Sequence, residues 1–206
     1  MAFKNWRLIT DPINKNNPIT IQVLGICSAL AITVKLQPAV VMALSVVFVL
    51  TMSNVIISLL RNTIPNRIRI IVQLVVVAAL VIVVDEVLKA FVFDISKQLS
   101  VFVGLIITNC IIMGRLEAFA LGNSPGKSFL DGIGNSAGYG IILIIVAFFR
   151  ELLGSGTLWN YQVIPDAWYA AGYANNGLAI LPPMALIIVG IIIWVQRARN
   201  RELIEN

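Results

Sequence analysis

Residues Pro38 to Leu60 run for 23 positions without a charged side chain. A helix needs a stretch of about 20 such residues to cross the hydrocarbon of a bilayer. Five more apolar runs accompany it: Ile19–Val34, Ile68–Val84, Leu99–Met113, Phe129–Phe149 and Leu178–Val195. A lone strand would leave its backbone unsatisfied in lipid, so these runs predict helices. Hydrophobic residues make up 59% of the 206 and charged ones 12%; the mean hydropathy is +0.92. No soluble domain of this size needs that much apolar surface for a core, and the composition defines a polytopic membrane protein. The first run follows a polar stretch, Thr10 to Asn17, and lacks a small-residue cleavage pattern after it, so it is expected to remain as a membrane helix.

The net charge of +5 does not indicate nucleic-acid binding, because the basic residues gather at run ends and termini and form no stripe with exposed aromatics. They fit membrane orientation instead. With the N-terminus inside, eleven cations fall on the inner side (Lys4, Arg7, Lys15, Arg61, Arg67, Arg69, Arg115, Lys127, Arg197, Arg199 and Arg201) and four outside (Lys35, Lys89, Lys97 and Arg150). Both termini are therefore expected in the cytoplasm. The outer loop from Gly154 to Gly177 carries Trp159, Tyr161, Trp168, Tyr169 and Tyr173, a composition that suits the headgroup level.

Three spans followed by three spans is the arithmetic of an inverted repeat, because an odd number of crossings turns the second half over. The expected architecture is an all-α integral membrane protein of six transmembrane helices in one domain, 1–206, with repeats at about 18–93 and 97–197. The halves share a faint pattern. Gly25-Ile26-Cys27 precedes Lys35, Thr108-Asn109-Cys110 precedes Arg115, and each following span ends in arginine, at Arg61 and Arg150.

The two cysteines of the chain, Cys27 and Cys110, lie in its two shortest runs, 16 and 15 residues long. Short spans with glycine or polar residues at matching places are the sign of broken helices that line a site near mid-membrane. Gly25 and Thr108-Asn109 are the expected break points, so the first and fourth helices are expected to be broken. Alone, either cysteine would read as a small buried hydrophobe. A disulfide needs a separation that the sequence does not fix. Zinc sites usually draw on histidine or clustered cysteines, and this chain has no histidine and no Cys-x-x-Cys. An iron–sulfur cluster takes four thiolates, so two cysteines could supply half of one against a partner with the same arrangement.

The segment Asp94 to Cys110, together with Asn17-Pro18, Gln22 to Cys27, Met113-Gly114-Arg115 and Phe129 to Gly134, resembles the membrane-subunit family of the bacterial Na+-translocating NADH:quinone oxidoreductases and the related ferredoxin–NAD reductase (Rnf) complexes. The resemblance covers nearly the whole chain and is closer to the D-type members than to the E-type ones. It implies that homologous D-type and E-type proteins, six-helix chains of opposite topology within a six-subunit inner-membrane complex, jointly hold a 2Fe–2S cluster. Cys27 and Cys110 would be this chain's ligands, and the E-type partner would supply the other two. It further implies electron relay from NADH toward ubiquinone coupled to Na+ export, with no flavin or NAD bound by this chain and no catalysis by it alone.

Asp131 opens the fifth run on the expected inner side, and Asp85 and Glu86 close the third on the outer side. Such carboxylates could take up and release Na+, or stand as water-exposed helix ends. Gly132 to Ala137 has the letters of a dinucleotide fingerprint, but no strand precedes it and a membrane helix follows, so a packing face at Gly134, Gly138, Ser136 and Gly140 is expected instead. Asn54, Ser58 and Gln73 read as interhelical hydrogen-bonding groups. Two other functions stay open: a secondary transporter built on inverted repeats, and an assembly subunit whose cysteines merely pack.

Overall fold

A computed structural model of the chain describes residues 8–12, 16–65, 67–91, 104–159, 161–162 and 177–199. Its helices include α1 (Ile26–Ile32), α2 (Leu36–Leu60), α3 (Arg69–Phe91), α4 (Cys110–Arg115), α5 (Pro125–Ser155) and α6 (Pro182–Arg199). α4 runs on into a π-helical turn, Leu116–Ala120, and a 3-10 turn, Gly177–Ile180, leads into α6. A two-residue antiparallel pair, β1 (Thr157–Leu158) and β2 (Tyr161–Gln162), follows α5. Among the described residues, four helices (α2, α3, α5 and α6) are long and apolar enough to cross a membrane.

Local chemistry sets the helix ends. Pro125 opens α5 after Ser124, where the missing N–H of proline is no loss. Gly156 closes it in the left-handed region at φ 67°, and its N–H donates to Leu152 O at 3.2 Å. Arg197 and Arg199 stand in the last turn of α6, where cations suit the carbonyl end.

The core is the pair α2 and α5, which run antiparallel. Leu36 N, at the start of α2, donates to Glu151 Oε2 near the end of α5 at 2.6 Å. Thr51 faces Gly132, and Asn54 Nδ2 donates to Ser128 O at 3.2 Å. Ser58 Oγ, near the end of α2, donates to Asn123 O just before α5 at 2.6 Å. Close approach depends on the small-residue face of α5. A Cβ on Gly132 would come within 2.8 Å of Thr51 Cα, and one on Gly138 within 2.6 Å of Pro12 O. The Gly134–Gly138 and Ser136–Gly140 face is thus closely packed, as its sequence implied, with Gly134 and Gly138 against backbone and Gly140 against Ala43.

α3 lies against α2, and α6 lies against α5 and α1. Both outer helices leave most of their apolar surface uncovered, Ile71, Val75 and Ile82 on α3 and Ile187 and Ile191 on α6 among others. Such faces suit lipid or neighbouring subunits.

Several boundaries differ from the sequence reading. The break expected at Gly25 is present, but residues 18–25 ahead of it form turns and bends in place of a half-helix, and only Ile26–Ile32 of the first run is helical. α3 continues to Phe91, so Asp85 and Glu86 lie within it and do not close it. α5 begins four residues before Phe129, which puts Asp131 in its second turn and not at its opening. The apolar count misplaced these ends because the polar residues that flank a run can stay helical. Trp168, Tyr169 and Tyr173 of the expected outer loop lie outside the described residues; Trp159 and Tyr161 are exposed.

Candidate functional site at the paired helix breaks

Both cysteines sit in the first turn of a short helix that begins at a break. Gly25 caps α1 at φ 80°, a left-handed conformation that a side chain would resist. Val23, two residues earlier, is also left-handed at φ 57°, unusual for a β-branched residue. Asn17 anchors the turn ahead of them. Its Oδ1 accepts from Ile19 N at 3.0 Å and Thr20 N at 3.3 Å, while its Nδ2 donates to Gly138 O at 3.1 Å. At the other break Asn109 caps α4, its Oδ1 accepting from Ile111 N at 3.3 Å.

The two breaks meet at Tyr139, midway along α5 and fully buried. Tyr139 OH lies 2.6 Å from Ser28 Oγ, and Asn109 Nδ2 reaches both oxygens at 3.4 Å. Gly25 packs on the Tyr139 ring, where an added Cβ would stand 2.9 Å from Cε2. Cys27 precedes Ser28 and Cys110 follows Asn109, and both cysteines are free and exposed on the surface of the chain.

From this junction the half-helices run apart along α5. The far end of α1 meets Arg150, whose guanidinium donates to Leu30 O at 3.0 Å and Thr33 Oγ1 at 2.7 Å. The far end of α4 meets Asp131, held by Arg115. Arg150 lies eleven residues after Tyr139 and Asp131 eight before it, about 16 and 12 Å along the helix axis. The N-termini of α1 and α4, the positive ends of their peptide dipoles, therefore point to the same mid-helix level.

The carboxylates are placed apart and paired. Asp131 is 2% exposed. Arg115 Nε donates to its Oδ2 at 3.0 Å, a second guanidinium nitrogen contacts Oδ1, and Asn135 Nδ2 donates to Oδ1 at 3.0 Å. Asp131 is thus a buried partner of Arg115 and not a water-exposed helix end. Asp85 lies 2.6 Å from Lys89 Nζ, and Glu86 lies 3.0 Å from the same nitrogen. The expected interhelical roles of the neutral residues hold: Asn54 and Ser58 bind the start of α5, and Gln73 Nε2 donates to Glu117 Oε2 at 3.1 Å.

The sequence pattern does not single out Tyr139, Ser28 or Glu151, and it places Arg150 among the expected outer cations. Arg150 is 1% exposed and also donates to Ala179 O at 3.1 Å and Ile180 O at 2.6 Å. The signal of these residues was present, as polar side chains inside or at the edge of apolar runs. What they touch was not.

Apolar spanning helices around an antiparallel pair, with two interrupted segments meeting at its middle, define a multi-pass membrane protein. The chain belongs to the Rnf-Nqr membrane-protein family, whose model, described as "Rnf-Nqr subunit, membrane protein", matches residues 5–193. It is 57% identical over 198 residues to the D-type chain of the Na(+)-translocating NADH-quinone reductase of Psychromonas ingrahamii, covering 96% of this chain and 94% of that one. It is 59% identical over 191 residues to the protein of the same name from Photobacterium profundum, covering 93% and 91%.

Proposed function

We propose that the chain is the D-type membrane subunit of a Na+-translocating NADH:quinone oxidoreductase, in the inner membrane of a bacterial cell with both termini in the cytoplasm. It is not catalytic alone; NADH, flavin and quinone chemistry belongs to other subunits. The six crossings would form two inverted three-helix repeats. That reading is supported by the antiparallel course of α2 and α5 and by half-helices that leave one junction in opposite directions.

The observation that carries the functional reading is the joining of the two cysteine-bearing turns through Ser28, Tyr139 and Asn109. Exposed thiols beside one hydrogen-bonded junction fit half of a four-thiolate donor set. Among the described residues, no three His, Cys, Asp or Glu side chains gather as a metal site. Cys27 and Cys110 are two ligands short of such a set, which a 2Fe–2S cluster shared with the E-type partner, a homologue of opposite topology, would complete. When bound, the cluster supplies one-electron transfer. Cys27 and Cys110 would hold it, and the apolar spans around them would limit water.

For sodium, Asp131 and Asp85 remain the pathway candidates, with a stated requirement. Arg115 engages both oxygens of Asp131 and must leave before that carboxylate turns to Na+, whereas Lys89 meets Asp85 at Oδ2. Replacing Asp131 with alanine should raise the Na+ concentration for half-maximal turnover.

The ligand assignment is tested by Cys27→Ser and Cys110→Ser in the assembled complex. Each should abolish the reduced-state cluster signal and quinone reduction, while NADH oxidation by an artificial acceptor at a peripheral subunit persists. A well-assembled variant that keeps full iron and acid-labile sulfide content and reduces quinone would return both cysteines to a packing role.

A further inference from the structure

We propose that Tyr139 is the positioning residue that holds the Cys27 and Cys110 turns in one fixed register, acting through Ser28 and Asn109; this rests on the cluster reading of those cysteines. Proton accounting gives the network a single direction. Ser28 Oγ has one proton and donates it to Gly25 O at 2.8 Å. At the 2.6 Å contact Tyr139 OH must then be the donor and Ser28 the acceptor. Asn109 Oδ1 already accepts from Ile111 N, so its amide nitrogen is what faces the two hydroxyl oxygens.

Each link is specific to one of the breaks. Ser28 belongs to α1, Asn109 caps α4, and Tyr139 belongs to α5, so one phenol ties the two interrupted segments to the same point of a core helix. Ser28, Asn109 and Tyr139 are 2%, 4% and 0% exposed. Water cannot replace a lost partner at such a site without rearrangement, and an unpaired buried polar group is costly. Each cysteine is exposed and stands one residue from this network along the chain. A shift of the Ser28 or Asn109 backbone therefore moves a thiol directly. Gly25 keeps the ring seated, because any side chain there would collide with Cε2.

Tyr139→Phe retains the ring and deletes the hydroxyl. In the assembled complex we expect iron content near that of the unaltered protein, a broadened reduced-state electron paramagnetic resonance signal and a changed midpoint potential. The reduced-to-oxidised ratio at fixed ambient potential should change three- to tenfold, the upper end equal to about 59 mV for a one-electron couple. Ser28→Ala removes the acceptor and should shift the potential in the same direction; the double variant should exceed neither single by much. Unchanged line shape and potential in both variants would overturn the proposal.

A second readout separates this claim from the cluster reading and serves if Tyr139→Phe loads no cluster. With other reactive cysteines of the complex replaced, spin labels on Cys27 and Cys110 should give a narrow distance distribution that widens on Tyr139→Phe or Ser28→Ala. An equal width in all three would overturn the positioning role. Survival of the cluster in Cys27→Ser would overturn only its ligand assignment.

Discussion

Arg115 grips Asp131 through two of its nitrogens where the end of α4 meets α5, with side chains 13% and 3% exposed. The pair joins the last residue of a six-residue helix to the second turn of a 31-residue one. It fixes the direction in which α4 leaves the junction. Arg115 also lies over the Phe119 ring, 5.3 Å from its centre, so its guanidinium is held from two sides.

Breaking one side of this pair should cost more than removing both. Asp131→Ala leaves a buried guanidinium without its counter-ion, a loss of about 3–5 kcal/mol in comparable sites. Arg115→Met should cost a similar amount, whereas Arg115→Met with Asp131→Leu should recover much of it. Thermal inactivation of the purified complex reads the difference. Additive losses would mean that the two side chains stabilise independently.

Gly138 should not tolerate a methyl group. Its Cβ would meet Pro12 O at 2.6 Å, backbone that can yield only by moving the 8–12 segment away from α5. Gly138→Ala is expected to destabilise by about 1–3 kcal/mol, the range for overpacked sites. It should also raise protease cleavage within residues 8–12 in the intact complex. A control at Gly126, which has nothing near its Cβ position, should leave cleavage unchanged.

Arg150→Lys should fail to rescue Arg150→Ala. The guanidinium serves Ala179 O from Nε, Ile180 O from Nη2, and Leu30 O and Thr33 Oγ1 from Nη1, a spread over three nitrogens that one ammonium cannot match. Each acceptor left unpaired costs about 1–3 kcal/mol. Complex yield after detergent extraction should fall alike for both variants. Full yield with lysine would show that charge alone suffices there.

Reporter fusions test the orientation. A C-terminal reporter active only in the cytoplasm is expected from the distribution of Lys and Arg, even with Arg150 buried and so withdrawn from the outer count. Activity only in the periplasm would reverse the sides assigned to Asp131 and Asp85.

The membrane class, the spanning character of α2 and α5, and the break points at Gly25 and Asn109 were legible in the sequence. Each depends on a local property: the length of an apolar run, the conformational freedom of glycine, or the capping power of asparagine. The small-residue face of α5 was legible for the same reason, since spacing along one helix fixes which residues share a side. Partnership across 111 residues, as between Ser28 and Tyr139, is not a local property. Nothing near Tyr139 in the chain distinguishes a phenol that joins two breaks from one that faces lipid. Likewise Arg150 and Asp131 looked like charges at run ends, because a sequence shows how far a residue stands from the apolar stretch and not what covers it. Only the packing of the two half-helices along α5 brings Arg115 beside Asp131, and the end of α1 against Arg150. Burial then makes those pairings obligatory, because water is no longer there to take a partner's place.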